Sequence, residues 1–211
     1  MSPIFQVFSL IQHNIMSTIK TTNITHGSNS GTNNIILDDT GKVTVAEKKL
    51  VSPGTILQVK NITTQNTFQE SVAAGATSTN NVLNLYFQAT STSNRLLVTM
   101  GINVCCSTNN IGIGMALYAD GSIVSDAVGA SASNRNLVTA AGIVNYTSHL
   151  EPLNAQVWLT PASTSNINYS IRLINLHSST HTLTANYSSV DTDSSMYARS
   201  VSSMTIMEIS Q

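Results

Sequence analysis

From Arg95 to Cys106 every second position is apolar: Leu96, Val98, Met100, Ile102, Val104 and Cys106 line one face. A period of two is the side-chain period of an extended chain, so this stretch is read as a strand with one face in a core. Cys106 rather than Cys105 is the cysteine assigned to that core. Leu83, Leu85 and Phe87 alternate in the same way with Asn84, Tyr86 and Gln88. No segment sustains a 3.6-residue apolar period over ten residues, so almost no helix is expected beyond a turn at 4–15. Further strand-like runs at 54–61, 66–73, 111–119, 121–128, 136–146, 155–161, 167–177, 182–189 and 198–209 are separated by turn-forming clusters. That spacing predicts an all-β, antiparallel, jelly-roll-like sandwich over residues 53–211. The last run, Ser203 to Ile209, is apolar on both faces, which predicts a central strand or one covered by another subunit.

Composition narrows what such a sandwich does. Ser, Thr and Asn make up more than a third of the 211 residues, whereas charged residues make up 9%, against roughly a quarter in ordinary soluble domains. The 41% hydrophobic content is too high for a disordered Ser/Thr tract. The net charge of −1 leaves no basic footprint for nucleic acid, and Lys48-Lys49 is too small to track phosphates. Cys105 and Cys106 are neighbours, pointing to opposite faces of a strand, so no disulfide framework is expected.

Residues 1–52 read differently from the rest. The stretch Met1 to Ile15 is mildly apolar but lacks a basic n-region and a cleavage motif, and is too short to span a bilayer. Asp38-Asp39-Thr40-Gly41 lies between two short β-prone runs and suggests a small hairpin. So few apolar residues make no independent core, so the segment is expected to attach to a partner or a neighbouring subunit.

Little in the chain points to a reaction. Glu70, Glu151 and Glu208 are isolated, and no nucleophile elbow or phosphate-binding loop is present. His177 and His181 would lie about 13 Å apart on a strand, too far to share a metal, and are read as turn histidines. Asp191 and Asp193 are too few oxygens for calcium and are read as turn formers. Gly112 and Gly114 interrupt a β-run and are read as relieving crowding. No catalytic, cofactor-binding or metal-ligating residue is assigned. Tyr118, Tyr146, Tyr187 and Tyr197, with Trp158, are the aromatic candidates for surface contact with sugars.

Several short motifs, in order, resemble the tail-fibre-like and other virion structural proteins of tailed phages of the marine and cyanobacterial type. Met16-Ser17-Thr18-Ile19-Lys20, Asn23-Ile24-Thr25-His26-Gly27 and the stretch Asn34 to Val43 are similar to their leader. Pro53-Gly54-Thr55-Ile56-Leu57-Gln58-Val59 resembles the entry to their C-terminal β-domain, Thr92 to Val98 a second landmark, and Thr205-Ile206-Met207-Glu208-Ile209 the closing strand. The first 15 residues depart from the pattern. The resemblance implies a non-enzymatic virion protein assembled in the host cytoplasm. It would be a homotrimer mounted on capsid or tail proteins by residues 1–52, showing residues 53–211 outward for adhesion, with a host-surface glycan as the expected ligand. A capsid decoration or cement protein and a free carbohydrate-binding module are the alternative readings.

Overall fold

The computed structural model describes residues 53–211 together with three short backbone segments nearer the N-terminus. The chain divides into two compact units, Met1–Val51 and Ser52–Gln211. In the first, β1 (Asn23–Ile24), β2 (Ile35–Leu37) and β3 (Val43–Val45) form an antiparallel sheet in that order. Leu37 pairs with Val43 and Ile35 with Val45, the strand pairing expected for the hairpin, whose turn lies outside the described residues. The expected helical turn at 4–15 also lies outside them.

The second unit is all-β, with a single 3-10 turn at Ser125–Ala127 among the described residues. Its strands are β4 (Ile56–Thr64), β5 (Phe68–Val72), β6 (Leu83–Gln88), β7 (Arg95–Cys106), β8 (Ile111–Ala119), β9 (Ser122–Ile123), β10 (Ala140–Val144), β11 (Glu151–Leu159), β12 (Asn166–Asn175), β13 (His181–Ala185) and β14 (Ser202–Ile209). The runs read at 121–128 and 136–146 shorten to β9 and β10. Between them the chain leaves the sheet plane, and Val128 and Val138 turn inward instead of continuing strands.

All pairings are antiparallel. One sheet runs β10-β8-β12-β6, with β9 hairpinned onto β8. In the other, β7 is flanked on one side by β11 and on the other by two strands end to end, β14 along Arg95 to Gly101 and β13 along Val104 to Cys106. β4 lies beyond β14 and β5 beyond β13. Counting β4/β5 and β13/β14 as one broken strand each, and setting β9 aside, the positions run 1-8-3-6 in one sheet and 2-7-4-5 in the other. That is a jelly roll, as the alternation predicts.

The break between β13 and β14 is held by Asn186, which is fully buried with φ +68°. Its backbone N–H donates to Asn103 O at 2.9 Å, and its Nδ2 donates to Thr64 O at 3.3 Å and Asn66 O at 2.9 Å. Ser202 Oγ donates to its Oδ1 at 2.6 Å. Asparagine suits this position because it tolerates the left-handed region and carries both donor and acceptor. β14 is the central strand its two-faced apolarity predicts, with Met204 and Ile206 fully buried. They join Leu96, Val98, Ile113, Met115, Leu117, Ile171, Leu173 and Leu183 between the sheets. Each such side chain contributes about 1.5–3 kcal/mol through burial. At one flank of the sandwich, Gln58 Nε2 donates to Gln88 O at 2.7 Å and Lys60 Nζ to Tyr86 O at 3.2 Å. These side chains occupy carbonyls of the outer edge of β6 that an open sheet would offer to another strand.

Candidate functional site

The two carboxylates nearest the core hold loops. Glu208 is fully buried on β14. It accepts hydrogen bonds from Gln58 Nε2 (2.6 Å), Thr90 N and Oγ1 (2.8 Å each), Ser91 N (3.3 Å) and Asn94 Nδ2 (2.6 Å). Glu70 on β5 accepts from Thr79 N (2.6 Å), Thr79 Oγ1 (2.9 Å), Asn80 N and Asn80 Nδ2 (3.0 Å each). Burial pushes both carboxyls up, but the converging donors outweigh it and hold both below the ordinary value. The two loops precede and follow β6, so this sparsely charged chain fixes both ends of that strand with an anion in a ring of amides and hydroxyls.

Other sequence candidates change their setting. Cys105 lies on the face of β7 opposite Cys106, as alternation requires, yet it is as fully buried and belongs to the same core cluster, which corrects the assignment of Cys106 alone. The residues around 147 and 189 cover it: its Sγ lies 3.2 Å from Thr147 O and accepts from Ser189 N at 3.3 Å. Burial pushes both thiols up in pKa. His177 and His181 are brought together, with His181 Nε2 3.1 Å from His177 Nδ1. The strand spacing fails because the chain reverses between them, placing the rings across a turn. They remain a pair: no group of three or more His, Cys, Asp or Glu side chains suited to a metal occurs among the described residues. Asp191 pairs with Arg199, whose Nε donates to Oδ1 at 3.1 Å.

The four tyrosines do not assemble into one site. Tyr118 is buried on the outer side of β8, its hydroxyl 3.4 Å from Thr77 Oγ1 and the Arg172 guanidinium 4.8 Å from its ring centre. Tyr187 is buried, its hydroxyl donating to Gln69 Oε1 at 2.6 Å, with Arg199 5.5 Å from its ring centre. It borders a polar hollow of about 420 Å³ with Gln69, Thr182, Thr184 and Asp191. Tyr197 is half-buried in the loop before β14. Only Tyr146 of the four is well exposed, edge-on to His149 with ring centres 5.2 Å apart. These two border a second hollow of about 410 Å³ with Asn145 and Glu151.

The most distinctive surface lies on the outer face of β4, β14, β7 and β11. Register sets Val59, Met207, Leu97 and Trp158 side by side in one row across all four strands, and Ile56, Ile209 and Arg95 in the next. Ile56, Val59 and Trp158 are 55%, 52% and 49% exposed. The Arg95 guanidinium sits 5.9 Å from the Trp158 ring centre, and its buried Nε has no hydrogen-bond partner. Beyond the apolar rows come two of hydroxyls and amides: Asn61, Thr205, Thr99 and Gln156, then Thr63, Ser203, Gly101 and Asn154. Reading strand by strand misses this surface, because its apolar residues come from four separate runs and meet only through register. A lone tryptophan among the polar outward positions of β11 is the one local signal.

No protein-family model matches this sequence, and no curated protein matches it. Among solved structures the chain is similar to infectious bursal disease virus, Gx strain, at TM-score 0.41 and 13% identity over 82% of this chain and 45% of that one. The VP2 subviral particle of the same virus gives 0.32 and 13% over 72% and 41%. The disulfide-linked pili of Bacillus endospore appendages give 0.25 and 10% over 76% and 98%. The chain thus spans less than half the length of the bursal-virus chains, and likenesses this remote carry no function across.

Proposed function

We propose that this chain is a non-enzymatic virion structural protein, a homotrimer mounted by residues 1–52 that displays the jelly roll of residues 53–211 for adhesion. The observation that carries this reading is the scaffold itself. It is a two-sheet jelly roll, the architecture of viral capsid and lectin domains, with both loops around β6 clamped by carboxylates. The motif order described above supports the phage class. Its surface of hydroxyls and amides suits many weak hydrogen bonds, multiplied by three copies, better than a single deep pocket. The exposed Tyr146 beside Asn145 and Glu151 favours a glycan as the ligand, since an aromatic face flanked by polar groups matches the apolar and hydroxyl sides of a sugar.

Immunogold labelling of purified particles with antibody against residues 53–211 tests the reading, and label on the particle surface is expected. Particles that contain none of this chain by mass spectrometry would refute it. Deleting residues 1–50 is expected to leave a folded β-domain that no longer incorporates. Incorporation at normal stoichiometry would move the attachment surface onto the sandwich and favour the capsid-decoration reading.

A further inference from the structure

We infer that the outer face of β4, β14, β7 and β11 is where copies of this chain meet, turned toward the threefold axis of the trimer, a placement that rests on the trimer reading above. Soluble chains rarely leave a contiguous apolar patch open without a use for it. Val59 and Trp158 stand about half exposed at the two ends of the row, with Leu97 and Met207 partly buried between them.

The chemistry of the face selects a second copy of itself as occupant. Its outward groups are apolar, or hydroxyls and amides that both donate and accept, so the surface is complementary to itself. A face built of charges would repel its copies around an axis. The one charged outward residue, Arg95, begins β7 at the end of the face, stacked on Trp158. The polar rows are also flat. An ideal Cβ on Gly101 would stand 2.9 Å from Asn154 Oδ1, so the missing side chain lets Asn154 lie against the sheet.

The dimensions accommodate the three copies of the trimer reading. Four strands at about 4.8 Å give a face about 19 Å wide. Three such faces closing a triangular prism each stand roughly 5.5 Å from its axis, about half the ~10 Å between packed sheets. Side chains from the three copies therefore fill the interior without a channel, with the Val59–Met207–Leu97–Trp158 rows forming an apolar layer across it.

Trp158 is the chain's only tryptophan, so its fluorescence reports on this face alone. Light scattering and acrylamide quenching are measured together on the full chain. A trimer with Trp158 shielded is expected, and Val59→Lys is expected to weaken association roughly 100-fold and to expose Trp158. Gln156→Lys, at an exposed position on the same face, should do the same, so a folding fault at residue 59 would not decide the matter. Ile143→Lys, exposed on the other sheet, should leave the trimer intact. A trimer with freely quenched Trp158 would overturn the inference while leaving the trimer reading standing. A monomer with shielded Trp158 would point to the chain's own N-terminal segment as the cover and overturn it. A monomer with exposed Trp158 would sink both readings, and a shielded dimer would refute the threefold arrangement.

Discussion

The two outer faces of the sandwich receive opposite treatment. On the β10-β8-β12-β6 sheet, the 20-residue connection between β8 and β10 folds back across the face. Val128 and Val138 pack on Ala116, Tyr118 and Ile174 to make a second small core. Backbone bonds hold this flap: Thr139 N donates to Met115 O at 2.7 Å, Val124 N to Leu117 O at 2.9 Å and Gly129 N to Val138 O at 3.2 Å. On the opposite sheet, the loop between β13 and β14 is clipped by Asp191 and Arg199 and covers only the end near Cys105. Among the described residues, nothing crosses the end bearing Trp158, which is 49% exposed. Strand chemistry does not separate the two faces, since both carry outward apolar residues. What separates them, among the described residues, is the course of one connection: residues 120–139 cross their face, whereas the β13–β14 loop stays at one end of the other.

The largest contrast should come from matched glycines. An ideal Cβ on Gly114 falls 2.4 Å from Val138 Cγ1 and 3.3 Å from Val138 Cβ, so the flap must lift to admit it. The Cβ contact at Gly101 is with Asn154 Oδ1, the end of an exposed side chain that can swing aside. Gly114→Ala is expected to cost about 2–3 kcal/mol and Gly101→Ala less than about 0.5 kcal/mol in urea denaturation. Equal losses would mean that the flap is not packed as described.

A smaller effect belongs to the carboxylate clamps, which hold the strand at the edge of the covered sheet. Glu208→Gln is expected to cost about 2 kcal/mol and the half-exposed Glu70→Gln about 1 kcal/mol. Both folded-state carboxyls lie below the ordinary value of 4.5. Their contribution is therefore complete above that pH and is lost as pH falls through the folded-state values. Thermal melts from pH 7 to pH 3 should show a loss of stability below about 4.5 that is blunted in Glu208→Gln. An unchanged acid slope would show that Glu208 does not carry it.

These contrasts also show what the sequence could disclose. The alternation of Leu96 to Cys106 gave β7 its true limits, and the two-faced apolarity of Ser203 to Ile209 pointed to a central strand, because both depend only on period. Residues 121–128 and 136–146 read as strands because their composition is β-prone. A flap that buries valines against a sheet has that same composition, and only tertiary contact separates the two cases. His177 and His181 flank the turn expected of them, but their 3.1 Å contact and the burial of Cys105 escaped the sequence, because loops and turns set those surroundings and periodicity is silent about both. The apolar row was hidden because four runs contribute one residue each, and register is fixed by the fold and not by any single strand.

The finest test compares two arginines. Arg172 and Arg95 each lie over an aromatic ring, Tyr118 on the covered face and Trp158 on the bare one. Arg172 sits closer, and its Nε donates to Asn81 Oδ1 at 2.9 Å, whereas the Nε of Arg95 has no partner. Ring stacking is worth about 0.5–1 kcal/mol at such sites, and a part-buried hydrogen bond from a charged guanidinium to an amide oxygen about 1–2 kcal/mol. Lysine keeps the charge but loses the planar fork, so Arg172→Lys is expected to cost about 1 kcal/mol of folding stability. Arg95→Lys should cost less than about 0.5 kcal/mol, since little in its own chain depends on the guanidinium geometry. Its effect belongs to association, read as a modest rise in the concentration at which copies separate. If Arg95→Lys instead destabilised the fold as much as Arg172→Lys while leaving association untouched, the bare face would be a structural element of the single chain. The contrast between the two faces would then reduce to a difference in exposure alone.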